Sequence, residues 1–231
     1  MKIDHIYVVH YKKLTDRKKY LEETLPKFGI PFEFRSLYDR SSPELFDSKY
    51  FDPSEKNLKV RNSVVHKTNK PCNIGQAVLC DTDRWLGYRA NALEHYKIFE
   101  HVALNTNYQN VLILEDDVQF PPHFSSVLEH ILKVLPPDYD VCYIGNGCNL
   151  QLPYHTDSIV GLHPQFHSRC TDSYIITKSS AEKFTKTILP FFGAADWDLN
   201  YVQALHDLKV YWSTVPAVLQ GSQNGVYTSS F

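Results

Sequence analysis

With 231 residues, 43% of them hydrophobic and 22% charged, the chain has the size and composition of one globular domain, expected to span 1–231. Its 24 basic and 26 acidic residues leave a net charge of -2, without the basic surplus that holds nucleic acid nonspecifically, and no stretch approaches the ~20 apolar residues of a membrane span. Five cysteines, at 72, 80, 142, 148 and 170, form no Cys-x-x-Cys pair, which argues against a zinc or dithiol site and predicts reduced thiols.

The opening segment MKIDHIYVVHYKK has no long apolar run before a cleavage site, so it does not read as a signal peptide and a cytoplasmic location is expected. Within it Ile6, Tyr7, Val8 and Val9, with Ile3 just before, predict a buried strand. A helix opening at Asp16 would carry Tyr20, Leu21, Leu25 and Phe28 on one face and stop near Gly29 and Pro31. Residues 32–37 alternate in part, as a second strand would. This β-α-β start favours a mainly parallel sheet.

Residues from about 39 to 82 hold no period and are rich in Ser, Asp, Asn, Lys and Pro, which predicts an irregular loop region. After Gly87, the residues Leu93, Tyr96, Phe99, Val102 and Ala103 recur at helical spacing. An apolar strand at 111–114 then runs into three acids, Glu115, Asp116 and Asp117. Past Pro121 and Pro122 a helix carries Phe124, Val127, Leu128, Ile131 and Leu135. Further strands are expected at 141–144, cut off by Gly145 and Gly147, and at 173–177. Ser179 and Glu182 have the spacing of a capping box for the helix bearing Phe184 and Ile188. A last helix is placed at Asp196, Trp197 and Asp198, carrying Val202 and Leu205. Alternating strands and helices imply the α/β class.

The acid triplet is the strongest chemical signal. Adjacent carboxylates raise one another's pKa, and a divalent cation relieves that cost. In extended geometry Glu115 and Asp117 project to one side and Asp116 to the other. Oxygen ligands at the end of a buried strand suit Mg²⁺ or Mn²⁺, and ligands of open α/β sheets bind outside the carboxyl ends of the strands. Such an ion holds a diphosphate as it leaves. The plainer alternative is an acidic turn facing water. Transfer to a hydroxyl also needs a base, and Asp196 and Asp198 flank an aromatic ring suited to a sugar face. Capping of the last helix by one of them is the equally simple reading.

Taken together, these segments resemble glycosyltransferase family 25, the family of bacterial lipooligosaccharide galactosyltransferases and collagen galactosyltransferases. IYVVHYKKLTDRKKYLEETL is similar to its opening strand, loop and Asp-Arg helix, with Asp16 and Arg17 in the motif. ALEHYKIFEHV resembles its Ser-His helix, with His95 matching, and VLILEDDVQF resembles its most recognisable block. YDVCYIGNG, TDSYIITKSSAEKF and AADWDL are similar to three later blocks in the same order. The resemblance implies a nucleotide-diphosphate-sugar-binding (GT-A type) fold. It also implies inverting transfer of a hexose from UDP-galactose or UDP-glucose, with Mn²⁺ (or Mg²⁺), to a hydroxyl of a glycan or a hydroxylysine-containing acceptor.

On that basis Asp117 is the first metal ligand, Glu115 contacts metal or ribose, and Asp116 belongs to the donor site. Asp196 is the favoured base and Asp198 the reserve. His10 and Tyr11 lie near the nucleotide, and Arg17 serves phosphate or pairs with an acid of its own helix. His95 is left open between a buried hydrogen-bonding residue and a catalyst. The chain departs from the family at Glu94, where serine is usual, at Ala90, where glycine is usual, and at Phe99, where tryptophan is usual. No histidine follows His206 to complete a metal shell; the tail LQGSQNGVYTSSF offers Gln220, Ser222, Gln223 and Asn224 instead. Two rivals remain: an inactive member that binds a nucleotide sugar or a protein, and a metal-dependent phosphohydrolase. The second lacks an Asp-x-Asp-x-Thr motif or a Walker loop.

Overall fold

The computed structural model describes residues 1–65, 83–147, 158–162 and 170–229. Cys72, Cys80 and Cys148 lie outside the described residues, as do 66–82 of the region expected to be irregular. Strand β1 (His5–Val9) is buried along its whole length and lies between two parallel neighbours, β2 (Phe32–Arg35) and β3 (Asn110–Glu115). Among the described residues seven strands form the main sheet, in the order β2-β1-β3-β7-β5-β8-β6. The others are β5 (Val141–Tyr143), β6 (Val160–Leu162), β7 (Ser173–Thr177) and β8 (Val210–Ser213). Strands β1, β2, β3, β5 and β8 run one way, and β7 and β6 oppose them. The sheet is therefore mainly parallel and the class α/β, as the β-α-β start indicates. A short second ladder pairs β4 (Val118–Gln119) with β9 (Leu219–Gln220).

Period-two alternation divides the core. Tyr7, Val9, Val111 and Ile113 face one side, where they meet α3 (Asp83–Asn105), α5 (Lys178–Thr187) and α6 (Ala195–Leu205). Ile6, Val8, Leu112 and Leu114 face the other, against α1 (Thr15–Thr24) and α4 (Phe124–Val134). A sheet covered on both faces explains why 111–114 reads as an unbroken apolar run. Among the described residues no helix is long and apolar enough to cross a membrane.

Several local expectations are corrected. Helix α1 stops at Thr24, and Leu25–Phe28 is a 3₁₀ turn, because Pro26 has no N–H for a helical bond. Gly29, at φ 69°, ends that turn in the left-handed region. Strand β2 stops at Arg35 rather than 37. A helix, α2 (Glu55–Val65), occupies part of the region read as irregular. Helix α3 begins at Asp83, before Gly87, with Trp85 packed on Phe192. The cap of α5 is Thr177, whose hydroxyl accepts from the Ser180 amide at 3.1 Å, and not Ser179.

Candidate active site

The register of β1 and β3 builds the site. His5 pairs with Val111 and Val9 with Glu115, so both strands end at one level. The residues just beyond them, His10, Tyr11, Asp116 and Asp117, therefore converge at the carboxyl edge of the sheet. They line a cleft of about 430 Å³ together with Asp196 and Trp197 from the start of α6.

Asp116 points back into the protein. Its Oδ1 accepts from Arg17 Nη1 at 2.7 Å, and its Oδ2 lies 2.9 Å from His10 Nδ1 and accepts from the Tyr11 amide at 3.0 Å. With 6% of its surface exposed, it locks the β1 loop and α1 to the end of β3. Arg17 donates a second bond to the Thr228 carbonyl at 2.6 Å and stacks on Tyr227 at 5.0 Å. Its acid partner thus belongs to the triplet, not to its own helix.

Glu115 is held by a polar cluster that the sequence reading does not anticipate. Its Oε1 accepts from Thr171 Oγ1 at 2.6 Å and Asn91 Nδ2 at 3.2 Å, and His95 Nε2 lies 3.6 Å away. Burial pushes the Glu115 carboxyl up, but His95, Thr171 and Asn91 outweigh it and hold the group below its ordinary range. His95 is itself fully buried, with Nδ1 2.7 Å from the Tyr174 hydroxyl. The spacing of Asn91 and His95, four apart and so on one face of α3, is the signal that points to this face.

Asp117 is different. Its Oδ2 accepts from the Ser222 hydroxyl at 2.5 Å, and its backbone carbonyl accepts from Gly221 N–H at 2.7 Å. Its Oδ1 is buried and has no hydrogen-bond partner among the described residues. Burial first, and the nearby Glu115 charge second, push this carboxyl up to about 6. A carboxylate destabilised by burial and by a like charge, with one oxygen open, fits a hard cation. Mg²⁺-type sites use one or two carboxylates and fill the remaining positions with water and substrate phosphate. Among the described residues no group of three or more His, Cys, Asp or Glu side chains forms a complete cage. Gln220 Oε1, a second buried acceptor with no hydrogen-bond partner among the described residues, belongs to the same cleft.

The two late aspartates separate. Asp196 is half-buried, lines the cleft and accepts from the Trp197 amide at 3.0 Å. Asp198 is 2% exposed and turned to Arg61 on α2, with Nη1 2.6 Å from Oδ1. It also accepts from the Phe192 and Gly193 amides at 3.1 and 2.9 Å. Ala194 is the N-cap residue of α6 and has no side-chain cap bond, so the capping reading of this pair does not hold.

Among solved structures, a glycosyltransferase involved in the glycosylation of the major capsid of PBCV-1 overlays with a TM-score of 0.41 at 12% identity. It covers 81% of this chain and 65% of its own. Mouse xyloside xylosyltransferase 1 overlays at 0.38 and 9%, covering 89% and 70%; overlays this loose carry no weight. In sequence, the chain is 24% identical over 188 residues to the protein named "Putative glycosyltransferase R655" of Acanthamoeba polyphaga mimivirus. It is 27% identical over 132 residues to a glycosyltransferase 25 family member of Aedes aegypti. These matches cover 78% and 57% of this chain but 51% and 19% of the relatives, so the chain spans about half the length of the first and about a fifth of the second. The family model described as glycosyltransferase family 25 (LPS biosynthesis protein) matches residues 3–162, more than half of the chain. The ordered blocks around the acid triplet are thus those of a known family, and this chain belongs to glycosyltransferase family 25.

Proposed function

We propose that the chain is an inverting glycosyltransferase that moves a hexose, galactose or glucose, from a UDP-sugar to a hydroxyl of a glycan or hydroxylysine-type acceptor. The observation that carries this reading is the sharing of one cleft by Asp117, with its open carboxylate oxygen, and Asp196. Asp117, with Glu115 behind it, would hold Mn²⁺ or Mg²⁺, which when bound neutralises charge on the departing diphosphate. The acceptor hydroxyl forms the new bond to the sugar C1 as the C1–O bond to UDP breaks, and its proton passes to Asp196. Displacement from the opposite face inverts the configuration at C1. Trp197, beside that base, offers an aromatic face for a sugar ring.

The test is a panel of UDP-sugars read by UDP release, with Mn²⁺ and with EDTA, alongside calorimetry of UDP. Release from UDP-galactose or UDP-glucose that needs the cation supports the reading. Tight UDP binding with no release from any donor makes the chain a binding member instead. Asp117→Ala is expected to lower release at least ~100-fold, and an unchanged rate removes the site assignment.

A further inference from the structure

Glu94 is a buried carboxylate for which the transfer chemistry has no use. Asn91 and His95, four residues apart on α3, face Glu115, while Glu94 stands on the neighbouring flank and faces the backbone just past β2. Only 2% of it is exposed, and Oε1 accepts from the Tyr38 amide at 2.6 Å. Its Oε2 is buried with no hydrogen-bond partner among the described residues, yet the residue lines the cleft beside Val9 and Tyr38. A buried acceptor left open destabilises the fold unless a ligand donates to it.

The order β2-β1-β3 gives the cleft a direction. Asp117 lies beyond β3, and Glu94 lies where the cleft passes β1 toward Tyr38 and Arg40 beyond β2. A nucleotide sugar with its diphosphate at Asp117 and its sugar toward Asp196 has its nucleoside on the β1–β2 side. We infer that Glu94 binds a ribose hydroxyl of the donor nucleotide through Oε2 and thereby sets the position of the nucleoside; this rests on the nucleotide-sugar reading. One open oxygen serves one donor. Burial pushes the Glu94 carboxyl up, against the Tyr38 and Leu37 amides. A ribose hydroxyl donates to the carboxylate and accepts from the acid, so it matches Oε2 in either form.

The experiment is calorimetry of the full chain with Mn²⁺, using UDP, GDP, 2′-deoxy-UDP and 3′-deoxy-UDP. The expected result is about tenfold weaker binding of one deoxy analogue by the wild type. Glu94→Ala should weaken UDP about tenfold and bind UDP and both analogues alike, with pyrophosphate binding unchanged as evidence of an intact acid site. Glu94→Gln, which keeps an oxygen for the Tyr38 amide, should shrink the preference even if the alanine variant does not fold. Equal binding of all three uridine ligands by the wild type overturns the role of Glu94 alone. So does a full preference retained in Glu94→Gln, or a loss of pyrophosphate binding in a folded Glu94→Ala. A wild type that binds neither UDP nor GDP overturns the nucleotide-sugar reading and this inference with it.

Discussion

Asp116, Asp117, Asp196 and Asp198 share one side-chain chemistry and differ in what surrounds it. Asp198 has a buried arginine and two amides, so Asp198→Ala leaves the buried Arg61 guanidinium without its counter-charge. A loss of roughly 3–5 kcal/mol in urea unfolding is expected, and a loss under ~1 would show that the pair does not hold α2 to α6. Asp196→Asn, at the cleft wall, should melt like the wild type, bind UDP normally and lose transfer; lost binding would make Asp196 structural. Asp117 carries a pH signature. Its folded pKa, about 6, lies above the ordinary 3.8, so its contribution to stability is fully present below 3.8 and is lost as pH rises through about 6. In cation-free buffer Asp117→Asn should therefore gain on the wild type by on the order of 2 kcal/mol between pH 4 and 7, seen as a growing gap in melting temperature. An equal gap at both pH values would mean the carboxyl titrates normally. The sequence places these acids but does not sort them. Alternation separates Asp116 from its neighbours, yet its partners His10 and Arg17 stand 106 and 99 residues away, and no local pattern reveals such pairs.

At the scale of elements, length decides what the sequence discloses. Strands β1, β3 and β7 and helices α3, α4 and α5 carry enough apolar positions for a period to show. Helix α2 shows none because it is mostly polar along its length. It is held instead by Arg61, which bonds the Ile188 and Pro190 carbonyls as well as Asp198. Strands β4 and β9 have two residues each, too few for alternation, although they bring the tail to the acid triplet. Two glycines test such joints. At Gly145, just past β5, a Cβ would fall 2.7 Å from Asp172 Cγ, so Gly145→Ala should lower the melting temperature. At Gly221 a Cβ would meet Tyr227 Cδ2 at 2.6 Å and the Asp117 carbonyl at 2.7 Å. Gly221→Ala should weaken UDP binding with little change in global stability; normal binding would show that the tail is not needed at the site.

At the scale of the whole molecule, the apolar core and the cleft occupy different places. Phe99, fully buried and stacked on Phe184 at 4.9 Å, joins α3 to α5 on one face of the sheet. Phe99→Ala should cost roughly 3–5 kcal/mol, or on the order of 10 °C in melting temperature. The cleft lies at the edge of the sheet, where its parts come from both ends of the described chain. Arg17 near the start binds the Thr228 carbonyl 211 residues later, and Ser222 holds Asp117 across 105. During synthesis this separation sets an order of events. The strands carrying Tyr7 and Leu112 leave the ribosome long before Gly221, Ser222 and Thr228 do. A nascent chain can pair β1 with β3 and still present its acids without their hydroxyl and carbonyl partners. Until those residues emerge, the partly made protein is a sheet whose acid triplet lacks the contacts of Gly221, Ser222 and Thr228.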